Sequence, residues 1–409
     1  MNPGLLVKLR PTGPWRIGPG SGVRNRVDAV YHSDSLYAAV CSAMARLGLL
    51  NEWLDATARH EAPAAAFSSC FPFVEDTRFV APPRTLWPPT APALLSARVR
   101  WKAARFIPLS VVEALLGGQP LDENQWNVDG PSECLLPAAM PGGPFRSGVR
   151  WNAAVDRLTG ASERHSTACM EFRPGAGLWT AVAFADDAAR EKWMEPVKAA
   201  FRWLADAGFG GERSRGWGRA ESPEFIEGAL LALILSSRHG DAPLTAEPTP
   251  PPAENPDEHT PLVAENLLLS DEHTSLHDEN PHQSRSLLHD REGAESLSEA
   301  EPLQPTPEPA PPPPPAPDVR RPHWLLSLFT PAAADAVDWS RGNYTLLERT
   351  GRIDGSGELK KHLQMISEGS VVYAQSSPRG AAPDVAPDGF AHPIYRAGFA
   401  VSIPLPEAV

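Results

Sequence analysis

This sequence of 409 residues has few cysteines and no long apolar run, and its first residues do not resemble a signal peptide. The four cysteines, Cys41, Cys70, Cys134 and Cys169, lie 29, 64 and 35 positions apart and form no CxxC pair. This spacing argues against a disulfide framework or a zinc site and for a reducing compartment. The longest apolar run has seven residues, at 229–235, and residues 1–13 contain no apolar h-region. We therefore expect a cytoplasmic protein, neither secreted nor inserted in a membrane.

Aromatic residues are absent from one long stretch, which also carries most of the charge imbalance. Residues 241–317 hold 18 Pro, 16 acidic and 2 basic residues, and none of the 31 aromatics of the chain. Such a segment buries too little apolar surface to offset its ordering entropy, so we predict that it is disordered. The remaining residues carry 34 acids and 35 bases, so the net charge of −13 belongs to this insert. The total charge thus hides a near-neutral folded part.

The order of predicted elements indicates an α+β fold. Alternation predicts strands at 5–9, 179–184 and 220–226, and helical periodicity predicts helices at 33–47, where Ser33 or Asp34 can cap, and at 188–207. Residues 63–92 are too rich in proline for regular structure to be expected. After the insert we predict mainly strands, with one short helix near 358–366. We expect two ferredoxin-like (RRM-like) domains with antiparallel sheets, at 1–235 and 323–409, joined by a disordered acidic, proline-rich linker at 236–322.

The most unusual stretch is the glycine- and arginine-rich segment at 208–219, GFGGERSRGWGR. Its glycines allow close backbone approach to a ligand, and the guanidinium groups of Arg213, Arg215 and Arg219 match phosphate oxygens. The ring of Trp217 could stack on a base. The segment follows a helix and precedes a strand, which is opposite to the context of a dinucleotide-binding turn. A tight turn needs one or two glycines, so a ligand-binding loop is favoured over a simple turn.

This segment resembles the glycine-rich signature of the RAMP superfamily, the RRM-like proteins of CRISPR systems. Further blocks narrow the resemblance to the fourth subunit of the type III-A (Csm) effector complex. They are HSDSL at 32–36, RFIP at 105–108, VDR at 155–157, EGS at 368–370 and HPIYR at 392–396. The likeness covers about 1–228 and 323–409, and the acidic insert departs from the family pattern.

The resemblance implies a non-catalytic subunit without a cofactor or a bound metal. It would bind the 5′ repeat-derived tag of the CRISPR RNA and dock on the large polymerase-like subunit and the backbone RAMP subunits, with target RNA contacted only indirectly. A thumb-like hairpin that kinks the guide is expected at 141–164, where Arg157 and Arg164 join two further arginines. The residues expected to bind RNA are Gly208, Gly210, Gly211, Arg213, Ser214, Arg215, Gly216, Trp217, Gly218, Arg219, Arg16, Arg24, Arg26, His32, Ser33, Arg146 and Arg150.

Two alternatives remain open from the sequence. Other RAMP proteins are metal-independent endoribonucleases that use a histidine near the first helix, and His32 lies where such a residue would be. No second acid–base partner is found at an informative spacing, and 190 residues follow the glycine motif. The other alternative is a scaffold protein without RNA contact. A scaffold would not need arginines on glycine-rich segments twice, at 10–26 and at 208–219.

Overall fold

The structure, a computed structural model, describes residues 2–19, 23, 25–90, 94–235, 319–353 and 355–407. In these residues the helices are α1 (Ser33–Arg46), α2 (Leu50–Ala56), α3 (Leu95–Trp101), α4 (Leu109–Leu116), α5 (Asp187–Ala207) and α6 (Leu230–Leu235). The strands are β1 (Pro3–Leu9), β2 (Ala65–Phe67), β3 (Phe71–Val74), β4 (Thr77–Val80), β5 (Ile107–Pro108), β6 (Trp126–Asp129), β7 (Cys134–Pro137), β8 (Phe145–Val155), β9 (Ser162–Phe172), β10 (Ala176–Phe184), β11 (Glu224–Ala229), β12 (Arg321–Leu325), β13 (Asp338–Asn343), β14 (Leu346–Arg349), β15 (Leu363–Ile366), β16 (Val371–Ala374) and β17 (Ser402–Pro404). The expected α+β class with antiparallel sheets is confirmed. Most of the linker predicted at 236–322 lies outside the described residues.

The larger sheet has the strand order β11-β1-β10-β3-β4-β5, and every neighbouring pair is antiparallel. β1 lies inside it, with Leu5 and Val7 fully buried. Helices α1 and α5 cover the same face, because Tyr37 of α1 and Phe201 of α5 both contact the ring of Phe67 in β2. The apolar stripe of α5, read from the sequence, is therefore the stripe that packs on the sheet.

The expectation that 63–92 lacks regular structure was wrong, since β2, β3 and β4 lie in it. Pro72 lies in β3 beyond the residues that pair with β4, where its missing N–H costs the sheet little. β2 and β3 both pair with β10 and are separated at 68–70. There the backbone N–H of Ser69 donates to the carbonyl of Leu326, 2.9 Å away. The interruption therefore accommodates the C-terminal segment.

The second sheet, β13-β16-β12-β17, is formed entirely by residues after the insert. When its four strands are numbered by their order along the chain, they lie side by side in the order second, third, first, fourth. In the larger sheet the strands that flank α1 and α5 follow the same order, β3-β10-β1-β11. No α-helix occurs in the described residues from 319 to 407, and the helix expected near 358–366 is replaced by β15, which pairs with β14. Cross-strand pairing with β14 and the burial of Met365 and Ile366 prevail over the weak helical pattern there.

The segments before and after the insert pack into one compact unit with a common hydrophobic core. The indole Nε1 of Trp324 donates to the carbonyl of Ala81, 3.1 Å away. The rings of Tyr37 and Phe399 meet edge to face at 5.5 Å between centroids. Apolar side chains of the C-terminal segment thus cover surface that α1 and the larger sheet leave open.

Candidate nucleic-acid interface

The glycine-rich loop has a tightly determined backbone. Gly208 and Gly218 adopt φ angles of +78° and +80°, and a Cβ on Gly218 would lie 2.0 Å from the carbonyl oxygen of Phe209. The ring of Phe209 is buried against Trp15, with centroids 4.6 Å apart. The backbone N–H of Gly211 donates to the carbonyl of Arg16 at 2.8 Å. Glycine is required here because two backbone segments approach each other directly.

The loop presents side chains to solvent more than it presents N–H groups. The N–H groups of Gly208, Phe209, Gly211, Gly216 and Gly218 already donate to protein carbonyls. Trp217 is buried, whereas the 3-10 turn Arg213–Arg215 and Arg219 are exposed. An RNA contact at this loop would therefore depend on the guanidinium groups of the turn. The backbone N–H groups and the ring of Trp217, which were also expected to contact RNA, are less accessible.

The loop that follows β1, at 10–26 and called the first loop below, carries arginines with different surroundings. Arg16 is buried, and its guanidinium donates to the carbonyls of Ala168 and Val23 at 2.9 and 3.0 Å. Arg26 is exposed, whereas Arg24 lies outside the described residues. Of the two described arginines, Arg26 is therefore available for contact with a ligand, and Arg16 ties the loop to β9.

His32 and Ser33, both expected to line the RNA site, are buried and bonded to other parts of the protein. The imidazole of His32 lies between Glu368, 2.7 Å from Nδ1, and Asp28, 3.2 Å from Nε2. The Oγ of Ser33 accepts the N–H of Leu328 at 3.0 Å. The side chain of Ser33 therefore does not cap α1, because it is engaged by the C-terminal segment.

Asp34 also points inward. Its carboxylate accepts two hydrogen bonds from Arg349, at 2.8 and 3.0 Å, and one from Arg396 at 2.5 Å. Burial alone would raise the pKa of Asp34, but the two guanidinium groups lower it to about 2. The block at 32–36 thus anchors the segment after the insert to the start of α1.

The charges around His32 stabilise one another. Burial alone would lower the pKa of His32, but Glu368 and Asp28 raise it to about 9. Burial opposes ionisation of Glu368 as well, yet His32 and the hydroxyl of Ser69 hold the pKa of that carboxyl below its ordinary value. At neutral pH the imidazole is therefore a buried cation in an ion-pair network.

The region predicted as the thumb, 141–164, holds β8, the turn and the first residues of β9, which together form a long two-stranded hairpin that extends to Phe172. Its base is joined to the first loop, since Trp15 and Met170 exchange backbone hydrogen bonds of 3.0 and 2.7 Å. Trp151 is 60% exposed, and the guanidinium carbon of Arg164 lies 4.1 Å from its ring centroid. At the turn Leu158 is 96% exposed. The outer part of the hairpin therefore has no hydrophobic core of its own and presents aromatic, apolar and cationic groups to solvent.

Arg146 and Arg150 lie on β8 nearer the base, and both pair with Glu171 across the hairpin, at 3.2 and 2.6 Å. Both side chains remain mostly exposed. Because Trp15 bonds to β9 and Arg16 to Gly211, the segment around 15–16 lies between the hairpin base and the glycine-rich loop. The structure thus brings the two sets of predicted arginines onto neighbouring elements.

Sequence reasoning missed the partners of the block at 32–36, namely Arg349, Glu368 and Arg396. Two of them lie in the blocks at 368–370 and 392–396. Charge was the available signal. The block at 32–36 contains a histidine and an acid, and the blocks at 368–370 and 392–396 contain an acid and an arginine of the opposite charge. Spacing alone gave no indication, since more than 300 positions separate the partners.

In the part of the chain that the structure describes, no helix is long and apolar enough to cross a membrane. In the same residues, no three metal-ligating side chains cluster.

The described residues thus form an α+β chain with antiparallel sheets and exposed arginines on a glycine-rich loop. The profile of the CRISPR Csm4 C-terminal domain family matches residues 320–405. The whole chain is similar to one in the crystal structure of a Csm3-Csm4 subcomplex of the type III-A interference complex, with 12% identity, a TM-score of 0.54, and 99% and 100% of the two chains covered.

A second similar chain is found in the crystal structure of a Csm1-Csm4 cassette in complex with cA4. The identity is 16%, the TM-score is 0.50, and 99% of this chain and 100% of that chain are covered. At these identities the likeness shows the fold alone. A search of curated protein sequences finds no match. The family match and the fold confirm the resemblance to the Csm4 RAMP subunit that the sequence blocks indicated.

Proposed function

We propose that this chain is a non-catalytic, RNA-binding subunit of a type III-A CRISPR effector complex in the cytoplasm. In this role it binds the 5′ repeat-derived tag of the CRISPR RNA and docks on the large polymerase-like subunit, as part of defence against foreign nucleic acid. The observation that carries the proposal is the exposed turn Arg213–Arg215 with Arg219, held on a rigid loop next to the arginine-bearing hairpin. Guanidinium groups on a fixed backbone suit contacts to phosphates, which position RNA without reading its sequence.

The proposed partners follow from the similar structures, which contain Csm4 together with Csm1 or with Csm3. We propose that the counterparts of those two subunits assemble with this chain. The match of 320–405 to a Csm4-specific domain supports the same assignment.

We also propose that both halves are ferredoxin-like units, as expected from the sequence. In chain order, the sheet β11-β1-β10-β3 reads fourth, first, third, second, and so does β17-β12-β16-β13. In the first unit α1 and α5 make the two crossovers. In the second, the hairpin β14–β15 lies between the second and third strands, and loops replace the helices.

The ribonuclease alternative is less well supported by the geometry. A general base at this position must be neutral and must reach the substrate. His32 is 3% exposed, and its two ring nitrogens are occupied by carboxylates that raise its pKa to about 9. We therefore propose a positioning role for His32 and Ser33 behind the RNA surface.

The experiment that tests the proposal compares two pairs of substitutions in the full chain. Arg213→Ala with Arg215→Ala should weaken binding of CRISPR RNA and lower the salt dependence, by about 0.7 in the log–log slope for each lost phosphate contact. The control removes the same charge at Arg46 and Arg59, which lie at the end of α1 and after α2. Equal affinities and equal slopes for both pairs would refute the proposal.

A further inference from the structure

A cleft of about 600 Å³ lies between the loop after β4, the residues after α3, and the β14–β15 hairpin of the C-terminal segment. Its rim carries Arg84, Lys102 and Arg105, and Trp87 and Leu346 form apolar wall. Among the described residues that were expected to bind RNA, only the buried His32 lines it. The cleft therefore requires its own explanation.

The cations of this cleft are available to a ligand. Arg84 and Lys102 are exposed, and in the described part of the chain neither forms an ion pair. Arg105 is held in place by Asp28, with a 2.8 Å contact, and the exposed acid of the lining is Glu133. Among the described residues, the cleft therefore exposes two cations that form no ion pair, Arg84 and Lys102, and a single carboxylate, that of Glu133.

The aromatic wall is rigid. Trp87 is half-buried and stacks on the buried ring of Trp101, with centroids 5.4 Å apart and an interplanar angle of 15°. The loop that carries it is tied to the C-terminal segment, because the N–H of Arg84 donates to the carbonyl of Gly369 at 2.9 Å. A fixed indole beside arginine and lysine is the combination that binds one base and its phosphate in single-stranded nucleic acid.

The cleft is also continuous with the candidate interface. Two neighbouring cavities are lined by Arg26 and Arg105, and one of them reaches Arg146 at the base of the hairpin. The cleft shares Arg105 and Glu133 with that cavity. A row of cations therefore leads from the hairpin, past Arg26 and Arg105, to Lys102 and Arg84.

We propose that this cleft is a second RNA subsite, in which Trp87 stacks on one base of a single strand and Arg84 and Lys102 hold its phosphates. The inference rests on the proposed function, since it extends the path of the same RNA. It assigns RNA contacts to the junction between the two halves of the molecule, where none were expected.

The test measures binding of a fluorescein-labelled single-stranded RNA of about 16 nucleotides to the full chain over a range of salt. Arg84→Gln with Lys102→Gln should weaken binding about tenfold or more and lower the salt slope by about 1.4, which corresponds to two phosphate contacts. Arg46→Gln with Arg59→Gln, which removes two cations outside the three cavities, should change neither quantity. Circular dichroism verifies that each variant is folded.

Stacking is tested separately with RNA that carries 2-aminopurine at successive positions. The fluorescence of one position should be quenched on binding, and Trp87→Leu should relieve the quenching at that position. Absence of a position that depends on Trp87 would overturn the assignment of the indole.

The outcomes separate the two proposals. If Arg213→Ala with Arg215→Ala weakens binding and the cleft variant does not, the subsite is refuted and the proposed function stands. If neither variant changes binding, both proposals fail. If the cleft variant binds RNA normally but no longer associates with the large subunit, the cleft is a protein-docking surface and the RNA subsite is refuted.

Discussion

At the scale of single residues, the side chains at the start of the block at 32–36 form hydrogen bonds and ion pairs inside the protein. His32, Ser33 and Asp34 each bond to a residue that follows the insert, across more than 290 positions. Buried ion pairs of this kind are costly to break, because removal of one partner leaves an uncompensated charge. The block therefore determines where the C-terminal segment docks.

Asp34→Asn should strongly destabilise the protein. The substitution leaves the buried cations Arg349 and Arg396 without their carboxylate, so we expect the free energy of unfolding to fall by about 3–5 kcal/mol. Urea unfolding measures this change. The matched control is Asp55→Asn, which removes an exposed partner of Arg59 and should cost less than about 1 kcal/mol. Similar losses for the two variants would contradict the structure.

The raised pKa of His32 predicts a loss of stability in alkaline solution. Its pKa rises from 6.5 to about 9 on folding, so the protonated ring stabilises the folded state fully below about pH 6.5. This stabilisation is lost as the pH rises through 9. Thermal midpoints from about pH 6 to pH 10 should therefore fall more steeply in the wild type than in His32→Gln. Parallel curves would show that His32 is not held as a cation.

At the scale of elements, the glycine-rich loop and the β8–β9 hairpin differ in how much of their backbone is bonded to the rest of the protein and in how much of their surface is exposed. The glycine-rich loop is bonded to the loop at 10–26, where the N–H groups of Gly211 and Gly218 donate to the carbonyls of Arg16 and Pro14, and it exposes a short cationic turn. The hairpin is bonded to the loop at 10–26 at its base, and none of the residues 151–166 in its outer part is buried. Its outer half is thus free to serve binding without a cost in stability.

Replacement of 152–165 by Asn-Gly should leave the fold intact. Trp151 pairs with Ser166, so a two-residue turn closes the shortened hairpin in register. We expect a change in unfolding free energy within about 0.5 kcal/mol, because no buried residue is removed. RNA affinity should fall about tenfold through loss of Arg164 and of the base-stacking environment of Trp151. Trp151→Ala with Arg164→Ala should reproduce the RNA effect in the complete hairpin, and unchanged affinity in both variants would exclude the outer part of the hairpin from the interface.

At the scale of the whole molecule, the segments on either side of the insert share the main hydrophobic core, and a second, small cluster lies within the segment after the insert. Trp324, Phe399 and Ile403 belong to the same buried cluster as Leu5 and Trp179. The boundary between two sheets is therefore not a boundary between two hydrophobic cores.

Calorimetry of the full chain should show one cooperative unfolding transition for the two segments. Phe399→Ala, which opens a cavity beside Tyr37, should lower the stability of that whole transition by about 3–5 kcal/mol. Independent domains would instead give two transitions, with the substitution displacing only one of them.

Local patterns in the sequence determined most of the elements that flank the candidate site. Apolar periodicity predicted α1 and α5 nearly to their ends, and in the structure Asp186 caps α5 by accepting the N–H of Ala189. Alternation located β1 and β10, and the density of glycine and arginine singled out the loop at 208–219. These features depend on neighbours within a few positions, which is why the sequence alone could reveal them.

Only the tertiary structure decided which of the predicted residues face solvent. Arg16, His32, Ser33 and Trp217 are buried, whereas Arg213, Arg215 and Arg26 are exposed. The cleft at Arg84, Trp87 and Lys102 gave no signal in the sequence, because its walls come from segments more than 200 positions apart. Burial and ion pairing depend on long-range contacts, and the hydrophobic core that joins the two halves of the chain sets those contacts.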